Sequence, residues 1–127
     1  MSTLAQNANK TILSLAAAAV GGNTTNLDNA FWTGIQLGIN ITAITGTAPT
    51  LTVIIEGQDE ASGIWYTLLS SAALNATGFT LLTLFPSVAT VANTSVPQVL
   101  PKTWRVRYAI AGTAPAVTAT IGASLQV

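Results

Sequence analysis

The chain has 127 residues, the length of one domain with a substantial core, and it contains no cysteine and no histidine. Disulfides, thiolate metal sites and catalytic arrangements that need an imidazole are therefore excluded. Only 6% of the residues are charged and the formal net charge is zero, whereas about 25% charged residues is typical of soluble domains. Zero net charge also argues against nucleic-acid binding, which depends on clustered lysine and arginine.

The amino-terminal stretch is predicted to be an extended arm. Residues 1–10 are mostly polar and show no apolar period that would pack them against a core. We therefore divide the chain into an arm, residues 1–10, and a folded domain, residues 11–127. Within the arm, Leu4 and Lys10 are the candidate contacts with a neighbouring subunit. Residues 11–20 are predicted to form the first strand, and their apolar run is too short to span a bilayer, so no membrane association is expected.

The middle of the chain alternates apolar and polar residues with the period of a strand. Over residues 31–45 this alternation places Phe31, Ile35 and Leu37 on an inward face and Trp32 on the outward face. Further strands are predicted over residues 50–57, 64–70 and 79–85.

The clearest strand signal lies near the carboxyl end. Trp104 and Val106 alternate there with Arg105 and Arg107. Because side chains alternate between the two faces of a strand, this pattern predicts bulky apolar residues inward and both arginines outward.

A four-residue segment, Gly-Thr-Ala-Pro, occurs twice in the sequence. At residues 112–115 it predicts a turn, so that residues 103–121 form a β-hairpin. The other copy, at residues 46–49, lies in a longer stretch that matches the second in several positions. The simpler interpretation of the repeat is that the same type of turn occurs twice. The other interpretation is that the domain contains two similar hairpins.

The strand pattern as a whole predicts the fold class. Seven to eight short strands with turn signals between them indicate an all-β protein. We expect a single-domain antiparallel β-sandwich, jelly-roll or Ig-like, with the N-terminal arm extended from it. Threonine recurs on the outward faces, and lysine, glutamate and aspartate are scarce, as in surfaces that other subunits cover.

The acidic residues cluster around one predicted loop. Glu56, Asp59 and Glu60 have the ligand type that Ca²⁺ prefers, but they lack EF-hand spacing, and acids are common in exposed turns. No catalytic residue, cofactor-binding residue or metal ligand is predicted from these groups.

The tryptophans are candidates for intermolecular contacts. By alternation Trp32 points away from Phe31, and Trp65 points away from Tyr66. An outward tryptophan is unusual on a monomer, so burial in a subunit interface and stacking on a sugar both stay open.

The two arginines have a binding and a structural interpretation. Arg105 and Arg107, beside Trp104, would suit an anion. The alternative is cross-strand pairing with an acid such as Glu56, or with a neighbouring subunit. With so few charged groups nearby, we favour structural or intersubunit pairing.

Four segments carry a resemblance to a known family: residues 50–59 (TLTVIIEGQD), 63–69 (GIWYTLL), 99–107 (VLPKTWRVR) and 121–125 (IGASL). In them the chain resembles small virion proteins of tailed bacteriophages that are interpreted as capsid decoration, or cement, proteins. The resemblance implies a β-sandwich that sits on three-fold or quasi-three-fold capsid axes, often as a trimer, and clamps neighbouring capsomers. It brings no catalytic motif.

The sequence therefore predicts a non-enzymatic bacteriophage virion structural protein, a decoration protein that binds the outer capsid surface and stabilises contacts between capsomers. Its partners would be the major capsid protein and further copies of itself, with a trimer favoured over a dimer, and neither nucleic acid nor membrane is expected. It would be made in the host cytoplasm and reside in the virion. Two alternatives stay open: a tail or baseplate component, and a carbohydrate-binding β-sandwich that uses Trp32, or Trp65 with Tyr66.

Overall fold

A computed structural model describes residues 7–127, and eight β-strands and no helix occur within that range. The strands are β1 (Ala8–Ala18), β2 (Gly22–Asn23), β3 (Leu27–Asp28), β4 (Gly34–Gln58), β5 (Trp65–Ser70), β6 (Gly78–Leu84), β7 (Ser95–Val96) and β8 (Thr103–Gln126). The prediction of an all-β protein is confirmed.

Two very long strands form the centre of the sheet. β4 has 25 residues and β8 has 24, and they pair antiparallel from Gly34 opposite Gln126 to Gly57 opposite Trp104. Their runs of isoleucine, valine and threonine favour the extended backbone along most of this length. The other strands pair with these two or with β6, and the result is one open sheet with the path β1-β8-β4-β6-β7.

The sheet divides into two half-sheets because β4 and β8 each belong to both. The first half-sheet contains β1, β6 and β7 together with residues 34–45 of β4 and 116–126 of β8. The second half-sheet contains β2, β3 and β5 together with residues 50–58 of β4 and 103–111 of β8.

The two Gly-Thr-Ala-Pro segments meet where the half-sheets join, and we call residues 46–49 and 112–115 the crossing. Thr47 of one segment pairs with Thr113 of the other, and the ladder shifts register on both sides of this pair along β4. The backbone enters the left-handed region at equivalent positions, with φ of +122° and +117° at the glycines and +49° and +48° at the alanines. The two copies are therefore related by a local two-fold rotation.

One hydrophobic core receives side chains from both half-sheets. Ile35, Leu37 and Ile121 of the first half-sheet and Val53 and Val106 of the second are fully buried members of the same cluster. Alternation accounts for this burial, since each strand turns every second residue to the same side.

Two expectations about strand pairing are wrong. Residues 103–121 do not form a hairpin, because β8 continues through the crossing and each Gly-Thr-Ala-Pro segment lies inside a strand. The sheet is also mixed rather than antiparallel throughout, since β7 runs parallel to β6, with Thr83 opposite Ser95.

The amino-terminal boundary differs from the predicted one. β1 begins at Ala8, and Lys10 pairs with Ala123 of β8, so the end of the predicted arm belongs to the sheet. Leu4 lies outside the described residues.

The expected orientation of the first aromatic pair is also wrong. β4 begins only at Gly34, so the alternation of the strand does not extend back to these residues. Phe31 is 67% exposed, whereas Trp32 packs against the core.

Candidate interaction surfaces

The charged side chains are distributed very unevenly. Seven of the eight lie in the second half-sheet or in the loops beside it: Asp28, Glu56, Asp59, Glu60, Lys102, Arg105 and Arg107. Lys10 on β1 is the one charged side chain of the first half-sheet. The two half-sheets therefore present surfaces of different chemistry.

A buried carboxylate organises the outer face of the second half-sheet. Arg105 Nε donates to Glu56 Oε1 over 2.8 Å, and Arg107 Nε donates to Glu56 Oε2 over 3.1 Å. Glu56 lies directly opposite Arg105 in the β4–β8 ladder, which brings the three side chains to one face. Glu56 is 6% exposed, so it depends on these two charge-assisted bonds. The predicted pairing of both arginines with Glu56 is present.

Trp65 belongs to the same group of side chains. The guanidinium carbon of Arg105 lies 4.1 Å from the centroid of the Trp65 ring, a cation–π contact. Arg105 covers a face of the Trp65 ring, and its own side chain is only 18% exposed. The contacts of these side chains are therefore mostly with one another, within the chain.

Trp32 is held by its own loop. Its backbone amide donates to Asn29 Oδ1, and Asn29 Nδ2 donates to the carbonyls of Trp32 and Leu100. The Trp32 ring meets Phe31 edge-on, with 5.9 Å between the ring centroids. Trp32 packs against the core, so it is not the outward-facing tryptophan that the sequence predicted.

The three acids near the β4–β5 loop do not converge on one point. Asp59 accepts bonds from the hydroxyl and the backbone amide of Ser62, and Glu60 accepts one from the hydroxyl of Thr103. The Ser62 hydroxyl is the main cause that lowers the pKa of Asp59. Within residues 7–127 no group of three or more acidic side chains is placed to hold a metal ion.

A shallow trough of about 620 Å³ lies on the outer face of the first half-sheet. Its floor is a pair of glycines, because Gly38 on β4 lies directly opposite Gly122 on β8. Polar residues flank this pair along both strands, and apolar side chains of β6 border the trough on the side of β4. The lining consists of Asn9, Lys10, Thr11, Gln36, Gly38, Asn40, Phe79, Leu81, Thr120, Gly122, Ala123 and Ser124.

Two exposed apolar side chains of β6 lie beside this trough. Phe79 is 67% exposed and Leu81 is 41% exposed, and they lie opposite Asn40 and Gly38 in the β4–β6 ladder. The Phe79 ring extends over Gly38, so closely that a Cβ added there would lie 2.9 Å from the ring. Sequence reasoning missed the trough, because its residues come together only through the register of β4 with β6 and β8.

A third surface surrounds the crossing. Exposed alanine, threonine and glycine residues from β4, β8, the end of β1 and the loop that follows it form this surface, and none of its residues is charged. We call it the crossing surface; its residues are 16–17, 19–21, 42–43, 45–48, 109 and 111–114. Val20 is its most prominent apolar side chain, at 74% exposure.

Comparison with known proteins identifies no relative of this chain. No protein-family model matches it, and neither a curated protein nor a solved structure is significantly similar. In the described part of the chain no helix is long and apolar enough to cross a membrane.

Proposed function

We propose that this protein is a non-enzymatic structural protein of a bacteriophage virion, a decoration protein on the outer capsid surface. It would bind the major capsid protein, associate with copies of itself as a trimer, and stabilise the joints between capsomers. The four segments that resemble phage cement proteins support this proposal from the sequence.

The observation that carries the proposal is the crossing surface. Solvent-exposed surfaces usually carry charged side chains that keep a protein soluble, and the crossing surface has none. Interfaces between subunits are depleted in lysine, glutamate and aspartate in the same way. Contact with another subunit there desolvates no charge, so buried area converts into stability without an electrostatic cost.

We further propose that the two half-sheets pack face to face as the layers of a sandwich. The single core shared by both half-sheets supports this arrangement. The crossing surface would then be one end of the sandwich, where β4 and β8 pass between the layers. The predicted arm, residues 1–10, would contact a neighbouring subunit through the part that precedes β1.

Co-sedimentation with capsids assembled from the major capsid protein of the same genome tests the proposal. We expect the purified chain to pellet with capsids and to saturate at a fixed ratio. Thr113→Glu places a charge in the middle of the crossing surface at an exposed position, so it should abolish pelleting without unfolding the protein. Thr25→Glu, at an exposed position in the loop after β2, is the matched control.

Two results would contradict the capsid role. The first is a chain that stays in the supernatant at every capsid concentration. The second is a Thr113→Glu variant that pellets as well as the unmodified chain. Binding to isolated tails instead of capsids would favour the tail or baseplate alternative.

A further inference from the structure

The trough on the outer face of the first half-sheet holds hydrogen-bonding groups that the chain itself does not use. The side-chain amides of Asn9, Gln36 and Asn40 make no hydrogen bond to another residue in the range 7–127. We propose that the trough is a binding site for a short, uncharged oligosaccharide. This proposal is independent of the capsid role.

The polar groups of the trough match sugar hydroxyls in kind. A side-chain amide both donates and accepts, as a hydroxyl does, so adjacent hydroxyls of one sugar ring can be satisfied by a single amide. Gln36 and Asn40 flank Gly38 on β4, one residue to each side on the same face. Because the Phe79 ring covers Gly38, a ligand would lie over Gly122, with the amides of Gln36 and Asn40 on the neighbouring strand to either side of it.

The charge of the trough does not match a ligand that carries several charges. Lys10 is the one charged residue among its lining residues, and no carboxylate is present. A phosphate-rich ligand needs several cations, and a cationic ligand needs acids, so neither is matched here. An uncharged polar ligand is the class that fits.

Phe79 provides the apolar element that a sugar needs. The C–H face of a pyranose ring packs on an aromatic ring, and this ring is 67% exposed beside the amide of Asn40. Leu81, 41% exposed, lies on the same strand two residues away, so the two side chains offer a small apolar patch beside the polar groups.

The glycine floor sets the depth of the site. Because Gly122 has no side chain, the backbone of β8 is open to a ligand, and a Cβ built there would meet only the Lys10 carbonyl oxygen, at 3.8 Å. The trough is open at the surface and its volume of about 620 Å³ lies within the range of small-molecule sites, roughly 300–1,000 Å³. An open site of this size suits part of a longer glycan chain.

The experiment is an NMR titration of the ¹⁵N-labelled full chain with neutral trisaccharides built from glucose, galactose, mannose or N-acetylglucosamine. We expect at least one of them to shift the backbone amides of the trough residues on β4, β6 and β8, and to leave those of β2, β3 and β5 unchanged. Phe79→Ala should weaken this binding roughly tenfold or more, a change easily resolved in Kd.

Two further variants separate the site from general surface effects. Gly122→Val fills the floor at a position with room for a side chain, so it should keep the fold and remove binding. Phe31→Ala removes an equally exposed phenylalanine outside the trough, 67% exposed like Phe79, and should bind like the unmodified chain.

The proposal is wrong if none of the trisaccharides shifts the trough amides at millimolar concentration. It is also wrong if Gly122→Val binds as tightly as the unmodified chain while its thermal unfolding shows that it is folded. If the trough variants bind no glycan and instead lose self-association, the surface is a protein contact and the oligosaccharide site does not exist.

Discussion

At the scale of single residues, Glu56 is the group on which the charged surface depends. It is nearly buried, and its two oxygens are divided between Arg105 and Arg107. Removal of such an acid leaves two guanidinium groups close together without their shared partner, which costs more than the loss of one exposed ion pair.

Glu56→Gln tests this dependence. We expect a loss of roughly 1.5–3 kcal/mol in the free energy of unfolding, the value of charge-assisted hydrogen bonds, measured by urea denaturation. Glu60→Gln makes the same chemical change at an exposed acid that accepts one bond from Thr103, and should shift stability by less than about 0.5 kcal/mol. Equal losses in the two variants would show that the shared carboxylate has no special role.

Asp59 provides a second test at this scale, through its pKa. The Ser62 hydroxyl donates to the Asp59 carboxylate over 2.6 Å and lowers the pKa of that group. Since the folded-state pKa is depressed, the bond contributes stability above the pKa of the unfolded chain and loses it as the pH falls through the folded value.

Ser62→Ala should therefore raise the pKa of Asp59 toward its ordinary value, as followed by the carboxyl ¹³C shift in an NMR titration. The stability difference between this variant and the unmodified chain should shrink as the pH falls below the folded-state pKa. Ser87→Ala, at an exposed serine far from Asp59 in sequence, is the control. An unchanged Asp59 pKa in Ser62→Ala would contradict the assignment.

At the scale of elements, the crossing is the place where the chain departs from regular strand geometry. Gly112 and Ala114 lie two residues apart and both have positive φ, but only Ala114 carries a side chain. A Cβ at Gly112 would lie 2.8 Å from the Ala48 carbonyl oxygen. Ala114 already carries a Cβ in a conformation that costs an L-residue about 1–2 kcal/mol.

Substitutions at these two positions should therefore act in opposite directions. Gly112→Ala should destabilise the fold by roughly 2–3 kcal/mol, because it combines backbone strain with a steric clash. Ala114→Gly should stabilise it by about 0.5–1 kcal/mol, because relief of strain outweighs the added freedom of the unfolded chain. Both changes are measurable as shifts in the denaturation midpoint, and destabilisation by Ala114→Gly would contradict the geometry of the crossing.

The local two-fold rotation adds an internal control for the element scale. Gly46 has the same surroundings as Gly112, with the Ala114 carbonyl oxygen 2.8 Å from a built Cβ. Gly46→Ala should therefore cost as much as Gly112→Ala. A large difference between the two would show that the repeat is one of sequence alone.

At the scale of the whole molecule, the distribution of charge divides the surface. The charged groups lie in and beside the second half-sheet, the crossing surface carries none, and the trough carries Lys10 alone. Folding has thus placed charged, uncharged small and polar residues on three separate surfaces, although these residues alternate along the chain. We propose subunit contacts for the crossing surface and ligand binding for the trough.

Deletion of residues 1–6 tests the proposed arm without disturbing the sheet. β1 begins at Ala8, so the truncated chain keeps the whole β1–β8 ladder and should show an unchanged unfolding midpoint. If the arm contacts a neighbouring subunit, the truncated chain should form a smaller oligomer, measured by light scattering, or should no longer bind capsids. Deletion of residues 1–10 is the comparison, since it also removes three residues of β1 and should lower stability. If the chain that begins at residue 7 forms the same oligomer and binds capsids as well as the full chain, the arm has no role in assembly.

In the two long strands the sequence by itself determined the alternation of side chains and therefore most of the buried face. Ile35, Leu37 and Val106 are buried as alternation predicts, and Arg105 and Arg107 share the opposite face with Glu56. These results depend only on neighbours along the chain, because the geometry of an extended backbone sends successive side chains to opposite sides.

Only the tertiary structure decided how the strands combine. The Gly-Thr-Ala-Pro segment has the residues of a turn, yet in both copies the backbone passes through it and continues as the same strand. Which outcome occurs depends on the partner: each copy is held by the other, at Thr47 opposite Thr113, more than 60 residues away. The trough has the same origin, since Gly38, Gly122 and Phe79 come together only through the register of three strands. Local periodicity contains no information about register between distant strands, and register is what places these residues side by side.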